Sequence, residues 1–459
     1  MQRILAIAWL TLKAAFRFRL VAVLSMILLG GVIILPLIIK DDGTARGFTQ
    51  ILLTYTLTLI TALLGFATLW LSCGTLARDV EEAQIQMVAV KPVARWQIWL
   101  GKWLGVLVLD AFLLTLSAGA VFFLMQWRAR NLPPEQQSIL RNEVLVARGS
   151  AKEPIPDLGA VVEDELNRRK KANPIAVTDL AFMRKQIREQ LKAGSQIVPP
   201  DHRREWKIDL GQAKDSLRDQ PLYFRVRFNV AQATPSRTYL GEWRVGEFTS
   251  PLLYTTNMSL AAETFHEFAV PSSLLSPTGI LTINFINRNE TAMLFPVEDG
   301  MEVLYRESSF GLNYIRGVSI IFFWLALLAA LGLAAASFLS FPVAAFFSLG
   351  VLVVGLSSGT VSLVLEQGTV FEVNHETGFA DKPALLDYVA LPIFRVLQKL
   401  INMVQGFSPI DSLSTGRSIT WGQLSLAFVE ICLVLSGILS AIGMAVFTRR
   451  ELASAQTNH

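Results

Sequence analysis

The sequence has few charged residues and almost no cysteine or histidine. Charged residues make up 17% of the 459 positions, and the chain has 2 cysteines and 4 histidines. A soluble domain carries nearer a quarter charged residues, so the composition argues against a soluble globular protein. Both cysteines, Cys73 and Cys432, lie in apolar runs, which argues against a structural disulfide or a cysteine metal site. The histidines show no metal-ligand spacing, and we expect no bound metal.

The sequence has long apolar runs in place of charge. A helix needs about 20 apolar residues to cross the hydrocarbon core of a bilayer. Six runs of this kind occur, at residues 20–39, 51–73, 104–125, 317–339, 341–365 and 423–447. We therefore predict a polytopic α-helical membrane protein with six transmembrane helices. The first run is too long for the apolar part of a cleaved signal peptide.

Lysine and arginine in the short flanking segments predict the orientation. They occur before the first run, between the second and third, and after the last: Arg3, Lys13, Arg17 and Arg19; Arg78, Lys91, Arg95 and Lys102; Arg449 and Arg450. Because short basic segments stay in the cytoplasm, both termini and the loop 74–102 are predicted to be cytoplasmic. The net charge of +4 then reflects contact with lipid phosphates rather than nucleic acid.

The apolar runs and their basic flanks predict a chain with three parts. Residues 1–125 contain an N-terminal amphipathic helix and the first three spans, and residues 316–459 contain the last three spans with an outer loop at 366–422. Residues 126–315 form an extracytoplasmic α+β domain, mainly helical over 126–205 and mainly β over 206–315.

Periodic patterns support the elements outside the membrane. The apolar positions Leu5, Trp9, Leu12 and Phe16 recur at helical spacing and predict a surface helix over 5–19, for which a plain extension of the first span is the alternative. Its predicted interface anchors are Trp9, Lys13 and Arg17. Leu180, Met183, Ile187 and Leu191 predict another helix, strict alternation over 222–230 predicts a strand, and similar strands at 281–285 and 301–305 suggest a β-sandwich. Near-helical spacing over 385–404 predicts a helix that ends at Gly406 and either lies on the outer membrane surface or dips into it.

The segment 77–102 carries the most mechanistic information. Its charges predict docking to a cytoplasmic partner, Met87 adds apolar contact, and Pro92 redirects the chain. The charged residues are Arg78, Asp79, Glu81, Glu82 and Arg95. Trp96 and Trp99 are predicted at headgroup depth, with Lys102 extending to lipid phosphate. An ordinary cytoplasmic loop with interfacial tryptophans is the alternative interpretation.

This segment resembles the coupling region of ABC-2 type ABC transporter permeases. The matching residues are Arg78, Asp79, Glu82, Pro92, Arg95, Gly101 and Lys102. The sequence departs from the family at Ala83-Gln84, where the family usually has Gly-Thr, and at Gln86, where it usually has Glu. The resemblance covers the membrane parts, a little over half of the chain, and the large outer domain is an insertion relative to small family members.

The resemblance implies a permease subunit of an exporter in the bacterial inner membrane. Such a subunit pairs with a second permease subunit, identical or related, and with cytoplasmic ATPase subunits that bind ATP and Mg. The chain itself is not expected to be an enzyme or to bind a cofactor. Its only Gly-Lys, Gly101-Lys102, has Trp96 where a P-loop needs its first glycine.

Two acids, Asp110 and Glu430, lie within predicted spans. A carboxylate in a membrane is costly and is a candidate functional group. Each acid could line a translocation path or a subunit contact, or could simply be satisfied by a neighbouring helix.

Two other functions stay open at this point. An ATPase-driven mechanical transmitter would act through the outer domain on an envelope partner, although such proteins usually carry that domain after the first span. A membrane-bound enzyme would have its site in the outer domain, where His266-Glu267 and the acids nearby are the only candidates.

Overall fold

The computed structural model describes most of the chain. The residues it does not describe are 1, 18–19, 39–43, 83–92, 141–143, 155–156, 173–179, 212–216, 218–219, 233–237, 248–252, 298, 371–385 and 451–459. The chain divides into two compact units, a helical one formed by Met1–Val146 with Ser309–His459 and a β-rich one formed by Ala147–Ser308.

The first part of the helical unit contains two very long helices. Its elements are α1 (Gln2–Arg17), α2 (Leu20–Ile38), α3 (Ala45–Glu81), α4 (Arg95–Ala129) and α5 (Pro134–Ile139). Thr44 caps α3 by accepting the N–H of Gly47 at 3.0 Å. The charged residues after Cys73 are therefore part of α3 itself through Glu81 and do not form a separate helix.

In its described residues the β-rich unit has two α-helices and eleven strands. The helices are α6 (Gly159–Ala172) and α7 (Leu180–Gln196). The strands are β1 (Val146–Ala151), β2 (Ile197–Val198), β3 (Arg203–Asp209), β4 (Leu222–Val226), β5 (Asn229–Val230), β6 (Thr238–Val245), β7 (Tyr254–Ala261), β8 (His266–Val270), β9 (Ile280–Asn287), β10 (Met293–Leu294) and β11 (Met301–Ser309).

The remaining helices complete the helical unit. They are α8 (Phe310–Ala336), α9 (Phe341–Leu356), α10 (Ser358–Gln367), α11 (Asp387–Gln405), α12 (Pro409–Ser414) and α13 (Trp421–Arg449). Pro342 occupies the first turn of α9, where its missing N–H costs little. Gly406 ends α11, as the spacing predicts.

Four helices, α3, α4, α8 and α13, are long and apolar enough to cross a membrane. The number rises to six if each of two bent pairs is one span, α1 with α2 at 67° and α9 with α10 at 60°. The sequence predicts a single helix over 341–365, and the structure instead bends the chain at Ser357. The described helices are consistent by length and composition with a membrane protein, whereas six separate straight spans are not confirmed.

Small residues allow the helices of the bundle to approach closely. A Cβ on Gly101 would lie 2.7 Å from the Cβ of Ile7, and one on Gly105 would lie 2.8 Å from the carbonyl oxygen of Ala8. These glycines let α1 pack directly on α4. As a result the apolar positions Leu5 and Trp9 of α1 face outward, 62% and 65% exposed.

The β-rich unit is built on two four-stranded sheets with strand orders β1-β11-β4-β8 and β3-β9-β6-β7, with a small sheet β2-β10-β5 beside them. Both larger sheets contribute to one aromatic core. Its members include Trp206, Phe224, Trp243, Phe285 and Phe295. Ring centroids of Trp243 and Phe285 lie 4.6 Å apart. A β-rich unit separate from the membrane-length helices is thus present.

The predicted boundaries of this unit need correction. It spans Ala147–Ser308 rather than 126–315, because α4 continues to Ala129 and α8 begins at Phe310. The part expected to be mainly helical contains β1, which joins a sheet through β11. A strand needs partners from elsewhere in the chain, and local periodicity does not reveal them.

The predicted strand over 222–230 is two strands. The N–H of Arg227 makes the last contact with the first sheet, at 3.1 Å from the carbonyl oxygen of Gly300. The partner strand β11 starts only at Met301, so Asn229 and Val230 pair with β10 in another sheet. The alternation of buried and partly buried side chains nevertheless continues across the break.

Buried charges stabilise the first sheet. Glu302 is 1% exposed, lies 3.3 Å from the guanidinium of Arg225 and accepts the hydroxyl of Ser150 at 2.8 Å. Arg148 and Glu267 form a second buried pair at 2.5 Å. Removing one member of a buried pair leaves the other charge without compensation.

We therefore expect Glu302→Ala to destabilise the β-rich unit by about 3–5 kcal/mol. Glu307, exposed on the same strand, provides the matched control, and Glu307→Ala should change stability by less than about 0.5 kcal/mol. Native-state proteolysis of the full chain, scored for cleavage within Ala147–Ser308, measures both changes. Equal protease resistance of the two variants would contradict this view of Glu302.

Candidate functional site

Several helices begin or end at one place in the helical unit. Helix α3 ends at Glu81, α4 begins at Arg95, α9 begins at Phe341 and α13 ends at Arg449. Side chains from the predicted coupling segment join these ends, and we call the assembly the helix-end cluster. Its members are Arg78, Asp79, Glu81, Arg95, Trp99, Lys102, Ser337, Phe341 and Arg450.

An ion pair connects α3 to α4. The Nζ atom of Lys102 lies 2.5 Å from Oδ2 of Asp79 and donates to the carbonyl oxygen of Thr75 at 2.6 Å. The Lys102 side chain is 8% exposed and that of Asp79 is 34% exposed. The prediction that Lys102 extends to lipid phosphate is therefore wrong, because its ammonium group turns inward to a carboxylate on the neighbouring helix.

Trp99 also faces the inside of the bundle. It is fully buried, and its Nε1 donates to the hydroxyl of Ser337 on the turn after α8 at 3.2 Å. Trp96 differs, since it is 45% exposed and remains available as an interface anchor. The two tryptophans differ because Trp99 belongs to the buried stripe of the helix and Trp96 does not. The buried stripe of α4 includes Ile98, Trp99, Lys102, Gly105, Val106 and Leu109.

Arg95 caps the end of α13. Its Nη1 donates to the carbonyl oxygens of Thr448 at 2.9 Å and Arg450 at 2.5 Å. These are terminal carbonyls that lack partners within the helix, and a cation there also offsets the helix dipole. Arg450 in turn donates to the carbonyl oxygen of Ser337 at 3.2 Å. The ends of α4, α8 and α13 are thereby tied together.

Arg78 and Glu81 attach α9 to the same cluster. The guanidinium carbon of Arg78 lies 4.4 Å from the ring centroid of Phe341, a cation–π contact. The N–H of Phe341 donates to Oε1 of Glu81 at 2.8 Å, which satisfies a free donor at the start of α9.

The other predicted coupling residues are differently placed. Glu82 ends α3 with an exposed side chain, and its N–H donates to the carbonyl oxygen of Arg78 at 2.8 Å. Met87 and Pro92 lie outside the described residues. Four of the predicted residues, Arg78, Asp79, Glu81 and Arg95, therefore contact the chain's own helices.

The predicted anchors on α1 partly face outward. Trp9 is 65% exposed, and Lys13 is exposed as well. Arg17 is the last residue of the helix.

The two intramembrane acids differ in their surroundings. Asp110 is 3% exposed, and its Oδ1 accepts the hydroxyl of Thr68 on α3 at 2.8 Å. Its Oδ2 has no partner among the described residues. A neighbouring helix thus satisfies only half of the carboxyl group. Glu430 is half-buried within the π-helical segment Phe428–Leu435 of α13, and such segments are frequent at functional sites.

The two residues considered for an enzyme site, His266 and Glu267, contact other residues of the β-rich unit. Nε2 of His266 lies 2.8 Å from the carbonyl oxygen of Ala261 and 2.9 Å from the hydroxyl of Thr264. Glu267 is paired with Arg148 at 2.5 Å. Among the described residues, no three His, Cys, Asp or Glu side chains gather in a way that could hold a metal ion.

Sequence reasoning missed Thr68, Ser337 and Phe341. A serine or threonine in an apolar helix is a weak signal, because it often bonds its own helix. Phe341 was discoverable in part, since Pro342 marks the start of a helix whose first N–H groups need acceptors.

Because Lys102 is more deeply buried than Asp79, substitutions of the two residues should destabilise the chain to different extents. Asp79→Asn leaves a buried ammonium group unpaired and should cost about 3 kcal/mol, whereas Lys102→Met leaves a partly solvated carboxylate and should cost about 1 kcal/mol or less. The double variant should match Lys102→Met. Thermal unfolding of the purified chain in detergent compares the three variants, and equal losses in both single variants would contradict the assigned burial.

The geometry above has no counterpart in the comparisons with known proteins. No family model, no curated protein and no solved structure matches the chain.

Proposed function

We propose that the chain is the permease subunit of an ATP-binding cassette exporter and that the helix-end cluster couples it to a separate cytoplasmic ATPase. The observation that carries the proposal is that one short connection, residues 83–92, is attached at both ends to a cluster that joins α3, α4, α9 and α13. Three of these, α3, α4 and α13, have membrane length.

The contacts explain how a force would be transmitted. A partner that moves residues 83–92 pulls on Glu82 at one end and on Arg95 near the other. Asp79–Lys102 makes α3 and α4 move together, because separating the pair would leave a buried charge at a cost of about 3–5 kcal/mol. Glu81 passes the displacement to α9 and Arg95 passes it to α13.

The proposed topology follows the basic flanks. Six spans, with α1–α2 and α9–α10 each contributing one, place both termini and the helix-end cluster in the cytoplasm and the β-rich unit outside the bacterial inner membrane. A second permease subunit, identical or related, completes the path. ATP and Mg bind to the ATPase partner.

A mechanical transmitter is the second candidate. Its supporting observation is the direct succession of β11, which ends at Ser309, and α8, which begins at Phe310. No linker residue separates β11 from the membrane-length helix α8. ATPase activity of the reconstituted complex that rises with a transported compound supports the exporter, and activity that responds only to an envelope partner supports the transmitter.

Glu82 provides a test of the coupling surface. Its exposed side chain lies beside the undescribed connection, so Glu82→Lys should reduce the amount of co-purified ATPase about tenfold without lowering the yield of the chain. Asp411→Lys, an exposed acid on α12, is the matched control and should leave the ATPase bound. Purification that recovers no ATPase with the native chain would refute the proposal.

Glu430 provides a test of the path. Glu430→Gln keeps the shape of the side chain and removes the charge, so the ATPase rate of the reconstituted complex should fall about tenfold while assembly is unchanged. Cys432→Ser in the same π-helical segment is the control. An unchanged rate in Glu430→Gln would show that the acid has no part in the cycle.

A further inference from the structure

A groove opens beside the helix-end cluster, between the start of α4 and the end of α13. Its volume is about 460 Å³, and it is lined by Trp96, Met444, Ala445, Thr448 and Arg449. None of these residues takes part in the contacts through which the cluster ties the helices together, except that the carbonyl oxygen of Thr448 accepts from Arg95.

The walls of the groove are apolar and one rim is cationic. Trp96, Met444 and Ala445 supply apolar surface, and the hydroxyl of Thr448 donates to the carbonyl oxygen of Met444 at 2.6 Å. Arg449 is exposed at the rim. An occupant should therefore have an extended apolar part and an acceptor for a guanidinium group.

The described residues around the groove supply positive charge. Arg449 lines the groove, and Arg95 and Arg450 belong to the neighbouring helix-end cluster, where they donate to main-chain carbonyls. No ion pair joins these three arginines to a carboxylate within the described parts of the chain, and the end of a helix supplies only about half a negative charge. Arg449, exposed at the rim, is therefore placed to bind an anion.

The position of the groove identifies the kind of anion. Both α4 and α13 have membrane length, and the groove lies at the end of the apolar run 423–447 of α13, where headgroups are expected. A tryptophan and an arginine at that depth are typical of lipid contact.

We propose that the groove binds an anionic phospholipid. Its phosphate contacts the Arg449 guanidinium, and one acyl chain lies along Trp96, Met444 and Ala445. Bound there, the lipid bridges α4 and α13 beside the Arg95 cap. The proposal does not rest on the transporter function.

Native mass spectrometry of the purified full chain tests the site with vesicle-derived phosphatidylglycerol and phosphatidylcholine as probes. The native chain should retain phosphatidylglycerol in preference. Arg449→Gln should lower that retention about fivefold. Ala445→Trp, which fills the groove and keeps the charge, should lower it as well. Arg395→Gln, at an exposed arginine on α11, is the matched control and should retain the lipid.

Several results would overturn the assignment. Equal loss in Arg395→Gln and Arg449→Gln would indicate general headgroup contact. Undiminished retention in Ala445→Trp would place the lipid elsewhere. Displacement of the lipid by millimolar inorganic phosphate would show a site for a small anion rather than for a phospholipid. Gel filtration of each variant in phosphatidylcholine confirms that it remains folded.

Discussion

The buried contact between Asp79 and Lys102 is the interaction on which the helix-end cluster depends. An ammonium group that is 8% exposed between two helices is costly to bury without an acid beside it, so the contact fixes the relative position of α3 and α4. Arg95, Glu81 and Trp99 then add α13, α9 and the end of α8 through hydrogen bonds to helix termini. The polar groups that any helix leaves unpaired at its ends serve here as attachment points.

The same constraint explains why sequence reasoning singled out the segment 77–102 but did not find the partners of its side chains. Local composition marked 77–102 as unusual, because charges, proline and tryptophans interrupt an apolar chain. Their partners lie far away in sequence, as Glu81 and Phe341 show, and single-segment patterns carry no such information. The burial of Trp99 and Lys102 was accessible, since both belong to a stripe with Gly105 and Leu109 at helical spacing.

The fold, too, was predictable from the sequence only in part. Long apolar runs predicted the membrane-length helices, and alternation predicted which faces of the strands are buried. The predictions failed where the chain changes partner, at Ser357 between α9 and α10 and at Arg227 between two sheets. At Arg227 the alternation of buried and partly buried side chains continues on both sides, so the pattern does not show the break. At Ser357 the apolar run is followed by Ser-Ser-Gly-Thr, a local signal of the bend that the count of apolar residues overlooked.

Two of the basic residues that predict the orientation in the membrane make contacts within the chain in the structure. The predicted orientation is the same when these two residues are left out. Lys102 is paired with Asp79, and Arg95 donates to carbonyl oxygens at the end of a helix, so both side chains are held by the chain itself. Arg3, Lys13 and Arg449 remain exposed on the segments predicted to be cytoplasmic. The loop predicted to be the first outer one has only Lys40 and Arg46, beside Asp41 and Asp42, in the sequence. The excess of basic residues on the predicted cytoplasmic side therefore persists without Lys102 and Arg95. The charges of the β-rich unit do not change it, because only residues near the ends of spans set topology. The proposed cytoplasmic location of the helix-end cluster therefore does not depend on the residues that hold the cluster together.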